Sequence, residues 1–279
     1  MPSVFALVVE EFEEELAAIS ALVNAAADPS LGGPRARVAG ANAAILLLAA
    51  TFEEFVRELA RSFARAVVEG CDSYDKLPPR LATVAWRRTM ESLARLRLND
   101  RTEVFSRESI FADAQTRFTI AYEFCRGDLT QDIYQELIHN ESNMRPQELN
   151  SLFNLSGLGN VCGLASAEAE LLTELGETEP GQAAPRLVER LEDFFERRNQ
   201  VAHSLNSMRS SGPEQITADI ALLSAFGRSV QKVLEREAPR PARDASTPAA
   251  TLPGRAVDAA VRGIANFLRG FFKPSADPA

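Results

Sequence analysis

Cysteine, histidine, tryptophan and tyrosine are all scarce in this chain, and each scarcity excludes something. The three cysteines, Cys71, Cys125 and Cys162, are odd in number, far apart and outside any CxxC or CxxH spacing. They encode neither a disulfide framework nor a zinc knuckle and are expected as reduced thiols in a helical core. Three Tyr and one Trp, with aromatics at 7%, are poor material for an all-β fold. The longest apolar run, Ala43 to Ala50, falls far short of the ~20 residues that cross a bilayer. The acidic N-terminal stretch lacks the basic start of a secretory signal, so a cytoplasmic location is expected. No repeat with a period of 20 to 50 residues is visible, which removes a solenoid.

What remains is 279 residues, 46% hydrophobic and 25% charged, rich in Ala, Leu, Arg and Glu, which favour helices. The net charge of -9 argues against a protein that coats long duplexes by phosphate neutralisation. The charge is unevenly spread. Met1 to Asp28 carries six acidic residues and no Lys or Arg, whereas Arg80 to Arg107 carries seven Arg against Glu91, Asp100 and Glu103.

Hydrophobic periodicity predicts helices almost throughout. Phe5, Val8, Phe12, Leu16, Ile19 and Leu22 form one stripe, ended by DPSLGGP at Asp28 to Pro34. Val38, Ile45, Leu48, Phe52, Phe55, Leu59, Phe63 and Val67 sustain the same period from about Arg37 to Gly70. Helices are expected near Leu81 to Leu98, Ser106 to Arg126, Thr130 to His139 and Pro146 to Asn154. A loop over Leu155 to Gly163 leads into an Ala-rich helix ending by Gly176. Glu177 to Pro185 reads as a second loop, and Pro185 to about Asn206 as an amphipathic helix. Ser211 and Glu214 are expected to cap a helix from Pro213 to Glu237. The expected organisation is an all-α antiparallel bundle over 1–237, with extra helices inserted mid-chain. A Pro/Ala-rich linker over 238–253 and a basic amphipathic helix over 254–273 would form a flexible tail.

Of only two histidines, His203 lies in FFERRNQVAHS near the end of its helix. Asn199, four residues earlier, projects from nearly the same face and could orient the imidazole. Arg197 and Arg198 fall well off that face, so convergence on His203 needs side-chain reach, a frayed helix end or a second copy of the helix across a dimer axis. An Arg followed by His at this spacing arises by chance in roughly half of chains of this composition, but requiring Asn directly after the Arg cuts that to roughly 2%. The other histidine, His139, has no such Arg upstream and reads as a surface or capping residue.

The string RNQVAH between two amphipathic helices resembles the active-site motif of the HEPN superfamily. AAILLLAATFEEFVRELARSF resembles its early long helix, and NMRPQELNSLFNLSGL is similar to the mid-chain region of the bacterial RiboL-PSP-HEPN and MAE_28990-like branches. The resemblance implies a helical bundle that dimerises through the motif helix. It also implies metal-independent endoribonuclease activity in toxin, antiphage or RNA-processing settings, with no cofactor. In that reading His203 is general base or acid, Arg198 holds the nonbridging phosphate oxygens, and Asn199 fixes the imidazole or the phosphate. A single imidazole does not easily serve as both acid and base, which makes a homodimer the natural consequence.

Each of these residues also has a plainer reading. His203 could be a helix C-terminal residue whose cation meets the helix dipole. Arg197 could replace Arg198 or pair with Glu189, Glu192, Asp193 or Glu196. Glu53 and Glu54 could face the motif helix or solvent. Arg87, Arg88 and Arg95, with Trp86 for stacking, could form an RNA-facing strip or an ordinary exposed helix face with Trp86 in the core. The 254–273 helix could dock on a partner, lie on an anionic membrane surface or pack on its own domain, and docking on an antitoxin or defence partner is the fate expected. The competing functional class is a noncatalytic helical RNA-binding or protein-interaction module.

Overall fold

A computed structural model describes residues 2–30, 32–96, 107–139, 143–203 and 211–239. They form ten α-helices and no strand: α1 Val4–Ala27, α2 Pro34–Glu69, α3 Pro79–Ala94, α4 Arg107–Cys125, α5 Tyr134–Leu137, α6 Pro146–Asn154, α7 Val161–Ser166, α8 Ala169–Leu175, α9 Pro180–His203 and α10 Pro213–Glu237. The chain is all-α. Residues 240–279, which include nearly all of the expected linker and the whole 254–273 helix, lie outside the described residues.

The 3.6-residue period explains the core. Phe5, Val8, Phe12, Leu16 and Ile19 of α1 and Ile45, Leu48, Phe52, Phe55, Leu59, Phe63 and Val67 of α2 are all buried, as one apolar stripe per helix requires. The helices α1, α2, α9 and α10 pack around five phenylalanines. Phe12 stacks on Phe55 at 3.9 Å between centroids, and Phe52 meets Phe195 at 6.2 Å and Phe226 edge-on at 5.8 Å. Gly227 lets α10 come close: a Cβ there would stand 3.0 Å from the Phe55 ring. By length and composition α2 could cross a membrane, yet here its apolar stripe faces the helices of its own bundle.

Several boundaries differ from the sequence expectation. The Thr130 to His139 segment holds only the single turn α5, because Asp128 draws Thr130 and Gln131 into a local turn that competes with helix. The expected Leu155 to Gly163 loop ends early, since Asn160 adopts a left-handed conformation (φ 53°) and accepts a hydrogen bond from the Gly163 amide to start α7. A side chain at Gly163 would collide with that cap. The Ala-rich segment splits into α7 and α8 at Glu168, whose backbone is extended. The α9 helix starts at Pro180 and runs through Pro185, because Ala183 continues the buried stripe of Leu187 and Leu191 upstream. Finally, Gly212 rather than Ser211 occupies the N-cap of α10, with Pro213 beginning the helix and no side-chain cap bond.

Candidate active site

The motif occupies the last two turns of α9. Phe194 and Phe195 are fully buried and set the rotation of this helix against α2 and α10. Arg197, Arg198 and Asn199 follow, half-buried, and His203 is exposed as its last described residue. Successive residues on a helix are turned by about 100°, so Arg197 and Arg198 cannot face the same neighbour.

Arg197 faces α10. Its Nη2 donates to both carboxylate oxygens of Asp219, at 2.6 and 2.8 Å, and Gln215 donates to the same carboxylate at 3.1 Å. The Asp219 side chain is 3% exposed. Burial raises its carboxyl above the ordinary range, opposed by Arg197, Gln215 and the charge of Arg190. Arg197 therefore pairs with none of the four carboxylates proposed for it from sequence, and its guanidinium is committed to joining α9 to α10. Glu192 and Glu196 instead hold Arg145, the latter at 3.5 Å, and Glu189 holds Arg186 at 2.7 Å.

Arg198 turns toward α2 and lies within electrostatic reach of Glu53. Its Nη1 donates to Asn199 Oδ1 at 3.2 Å, and the same oxygen accepts from Asn143 Nδ2 at 2.9 Å. With Oδ1 doubly engaged, the Asn199 amide nitrogen is left to donate elsewhere. Asn143 opens the NMRPQELNSLFNLSGL string, but nothing in the sequence tied it to the motif: it lies 56 residues away from its partner and next to Arg145, whose ion pairs fasten the start of α6 to α9.

The two acidic candidates on α2 separate in the same way. Glu54 is an outward charge bonded to Arg61 at 2.8 Å and to Arg57 at 3.4 Å. Glu53 points inward, 13% exposed, with Arg57 at 3.6 Å. Burial pushes the Glu53 carboxyl up against the pull of Arg198 and Arg57. Buried atoms without a hydrogen-bond partner gather at this seam: Glu53 Oε1, Arg57 Nη1 and Arg198 Nε. Such atoms normally cost stability and mark places where a further polar group would be welcome.

The direction of the Glu53 shift has a measurable consequence. A carboxyl that titrates higher when folded binds its proton more readily in the folded state, so its ionisation opposes folding as pH rises. Glu53→Gln, which mimics the neutral form at every pH, is expected to be more stable than the parent at neutral pH. That advantage should shrink as pH falls through the raised folded value toward the ordinary carboxylate range. Urea midpoints measured from pH 4 to 8 check this, and a variant less stable than the parent at pH 7 would reverse the sign.

The remaining sequence candidates fare unevenly. Arg88 leaves the RNA-facing set: its guanidinium is half-buried and donates to the Leu137 carbonyl at the end of α5, and burial lowers its pKa. Arg87 and Arg95 are exposed. His139 is also exposed. The Cys162 thiol is buried and pushed up to about 12 by that burial, which suits a packing role, and Cys71 and Cys125 are half-buried free thiols. Among the described residues no three His, Cys, Asp or Glu side chains converge as metal ligands do.

Comparison with known proteins gives the chain a family. No curated protein and no solved structure matches the chain. A family model described as RiboL-PSP-HEPN matches residues 10–236, a span that begins in α1, ends in α10 and contains Arg198, Asn199 and His203. The chain belongs to the RiboL-PSP-HEPN family, a branch of the HEPN superfamily, whose members include ribonucleases.

Proposed function

We propose that this protein is a metal-independent endoribonuclease acting through Arg198, Asn199 and His203, as a homodimer in the cytoplasm, in a toxin or antiphage setting. The observation that carries the reading is the pairing of Arg198 with Asn199 one turn before an exposed imidazole. His203 takes the proton of a ribose 2'-hydroxyl, and the 2'-oxygen attacks the adjacent phosphorus. As the new O–P bond forms, the bond to the 5'-oxygen breaks and that oxygen receives a proton. The products are a 2',3'-cyclic phosphate and a 5'-hydroxyl. Arg198 neutralises the charge that grows on the nonbridging oxygens. Asn199, held by Asn143, presents its amide nitrogen to the phosphate or to the ring.

Helix geometry supplies the argument for a dimer. Arg198 and His203 are separated by about 7.5 Å along the helix axis and by roughly 140° around it, so they point to different sides of one α9. Two copies of α9 packed about a two-fold axis bring an Arg198 to each His203 and place two imidazoles at one phosphate, one as base and one as acid.

The test is purified protein and mixed RNA in EDTA, with wild type mixed and exchanged with His203→Ala. If one site needs an imidazole from each chain, equimolar mixing leaves about one quarter of the activity of the same total amount of wild type. Retention of one half would mean that each chain carries a complete site. Cleavage by neither wild type nor variants, with RNA still bound, would instead support a noncatalytic RNA-binding module.

A further inference from the structure

The surface made by α3 and α4 carries a feature that the motif does not use. All three exposed large aromatic side chains among the described residues lie on α4: Phe111, Phe118 and Tyr122, at 44, 43 and 41% exposure. Helices of soluble bundles bury such rings, yet α4 buries only Ala121 and Phe124. Steps of seven and four residues put the three rings on one face. They are not isolated. Phe118 and Tyr122 lie nearly parallel, 5.9 Å apart at 15°, and Trp86 of α3 meets Phe118 edge-on at 6.2 Å. The Arg126 guanidinium lies 5.6 Å from the centre of the Tyr122 ring, and that of Arg107 lies 5.5 Å from the centre of the Phe111 ring.

The charge around these rings runs against that of the whole chain. Residues 79–96 and 107–126 contain seven arginines and four carboxylates, in a protein of net charge -9. Arg87 and Arg126 are 61% and 64% exposed, and their ion pairs among the described residues are loose contacts to Glu91 at 3.7 Å and to Glu123 at 3.9 Å. Ion pairs of that kind are worth little in water, so both cations are available to a stronger anion.

Clustered aromatic rings flanked by accessible guanidiniums match the chemistry of unpaired bases joined by phosphates. We propose that Trp86, Phe118 and Tyr122 form a stacking ladder for single-stranded RNA, with Arg87 and Arg126 meeting the phosphates. The positive charge of this surface disfavours the basic 254–273 segment as its occupant. The ladder rests on RNA being the ligand of this protein but not on its cleavage. It also sits within a strand's reach of the motif. Arg88 of α3 holds the Leu137 carbonyl and Asn143 holds Asn199, and the six residue steps from Leu137 to Asn143 can span at most about 22 Å.

Trp86 is the only tryptophan in the chain, so its fluorescence reports the ladder directly. Full-length protein is titrated with a 12-mer of 2'-O-methyl oligouridylate, which cannot be cut by 2'-hydroxyl attack, and with a duplex of equal length. The single strand should quench Trp86 saturably, while the duplex should not. Phe118→Ala and Tyr122→Ala, at exposed positions that leave the core untouched, should each weaken single-strand binding about tenfold. Absence of quenching overturns the ladder, as does unchanged binding by both variants, and if RNA is still cut in either case the catalytic reading survives. A drop in oligomeric state of the two variants by light scattering, with RNA binding unaltered, also overturns it, because the rings would then belong to a contact between copies. Loss of binding in Arg198→Ala alone would place RNA at the motif and not on α4.

Discussion

His203→Ala is expected to slow RNA cleavage by about 10²–10⁴-fold, the range by which a positioned acid or base accelerates proton transfer. The ring is exposed at the last described residue of α9, so its removal leaves no cavity, and the circular dichroism and melting curve of the variant should match the parent. Arg198→Ala is expected to cost about 10²–10³-fold, as loss of one oxyanion-stabilising donor does. Arg198→Lys should recover little of it, because an ammonium cannot present two parallel donors to a phosphate while a third is engaged by Asn199. Single-turnover rates on a defined RNA, with end-group analysis for the cyclic phosphate, measure both. Cleavage at the parental rate by His203→Ala would remove the assigned chemistry, whatever RNA the protein binds.

The largest expected loss of stability comes from the other arginine. Asp219→Ala should destabilise the protein by about 3 kcal/mol, the lower end of what breaking a buried ion pair costs, since Arg197 is left without its counter-charge but retains some access to water. The side chains are 3% and 26% exposed, respectively. Asp219→Asn should cost less. Burial already raises the Asp219 carboxyl in spite of Arg197, so the charge contributes less than the hydrogen bonds that an amide oxygen can still accept. Urea unfolding of both variants distinguishes these outcomes, and equal losses would mean that the charge itself dominates. Because Arg197 anchors the turn from which Arg198 projects, Asp219→Ala should also lower cleavage while leaving every proposed reacting group in place.

Most of the fold was legible in local pattern. The stripes of α1 and α2 are buried as their spacing demanded, and Pro146 begins α6 where a first-turn proline should. Two of the differences arose where a polar side chain overruled the period. Asp128 replaced most of an expected helix by a turn, and Asn160 started one inside an expected loop. At the candidate site, the Arg-Asn-His string stood out by its composition, because few residue types carry this chemistry and histidine is rare here. The link from Asn143 to the motif did not stand out, although the string that Asn143 opens did, because the connection runs through space.

By itself the sequence determined that this chain is a helical bundle and which short string resembles the HEPN motif, since periodicity and residue chemistry are local properties. Three choices between adjacent residues were left to tertiary structure: Arg197 or Arg198, Glu53 or Glu54, Arg87 or Arg88. In each pair one member turns to a partner distant in the chain, Asp219, Arg198 and the Leu137 carbonyl respectively, and its neighbour turns elsewhere. Neighbours on a helix differ by about 100° of rotation. Only the phase at which each helix packs against the others, set by buried phenylalanines on α1, α2, α9 and α10, decides which of two like side chains meets a distant partner and which turns elsewhere.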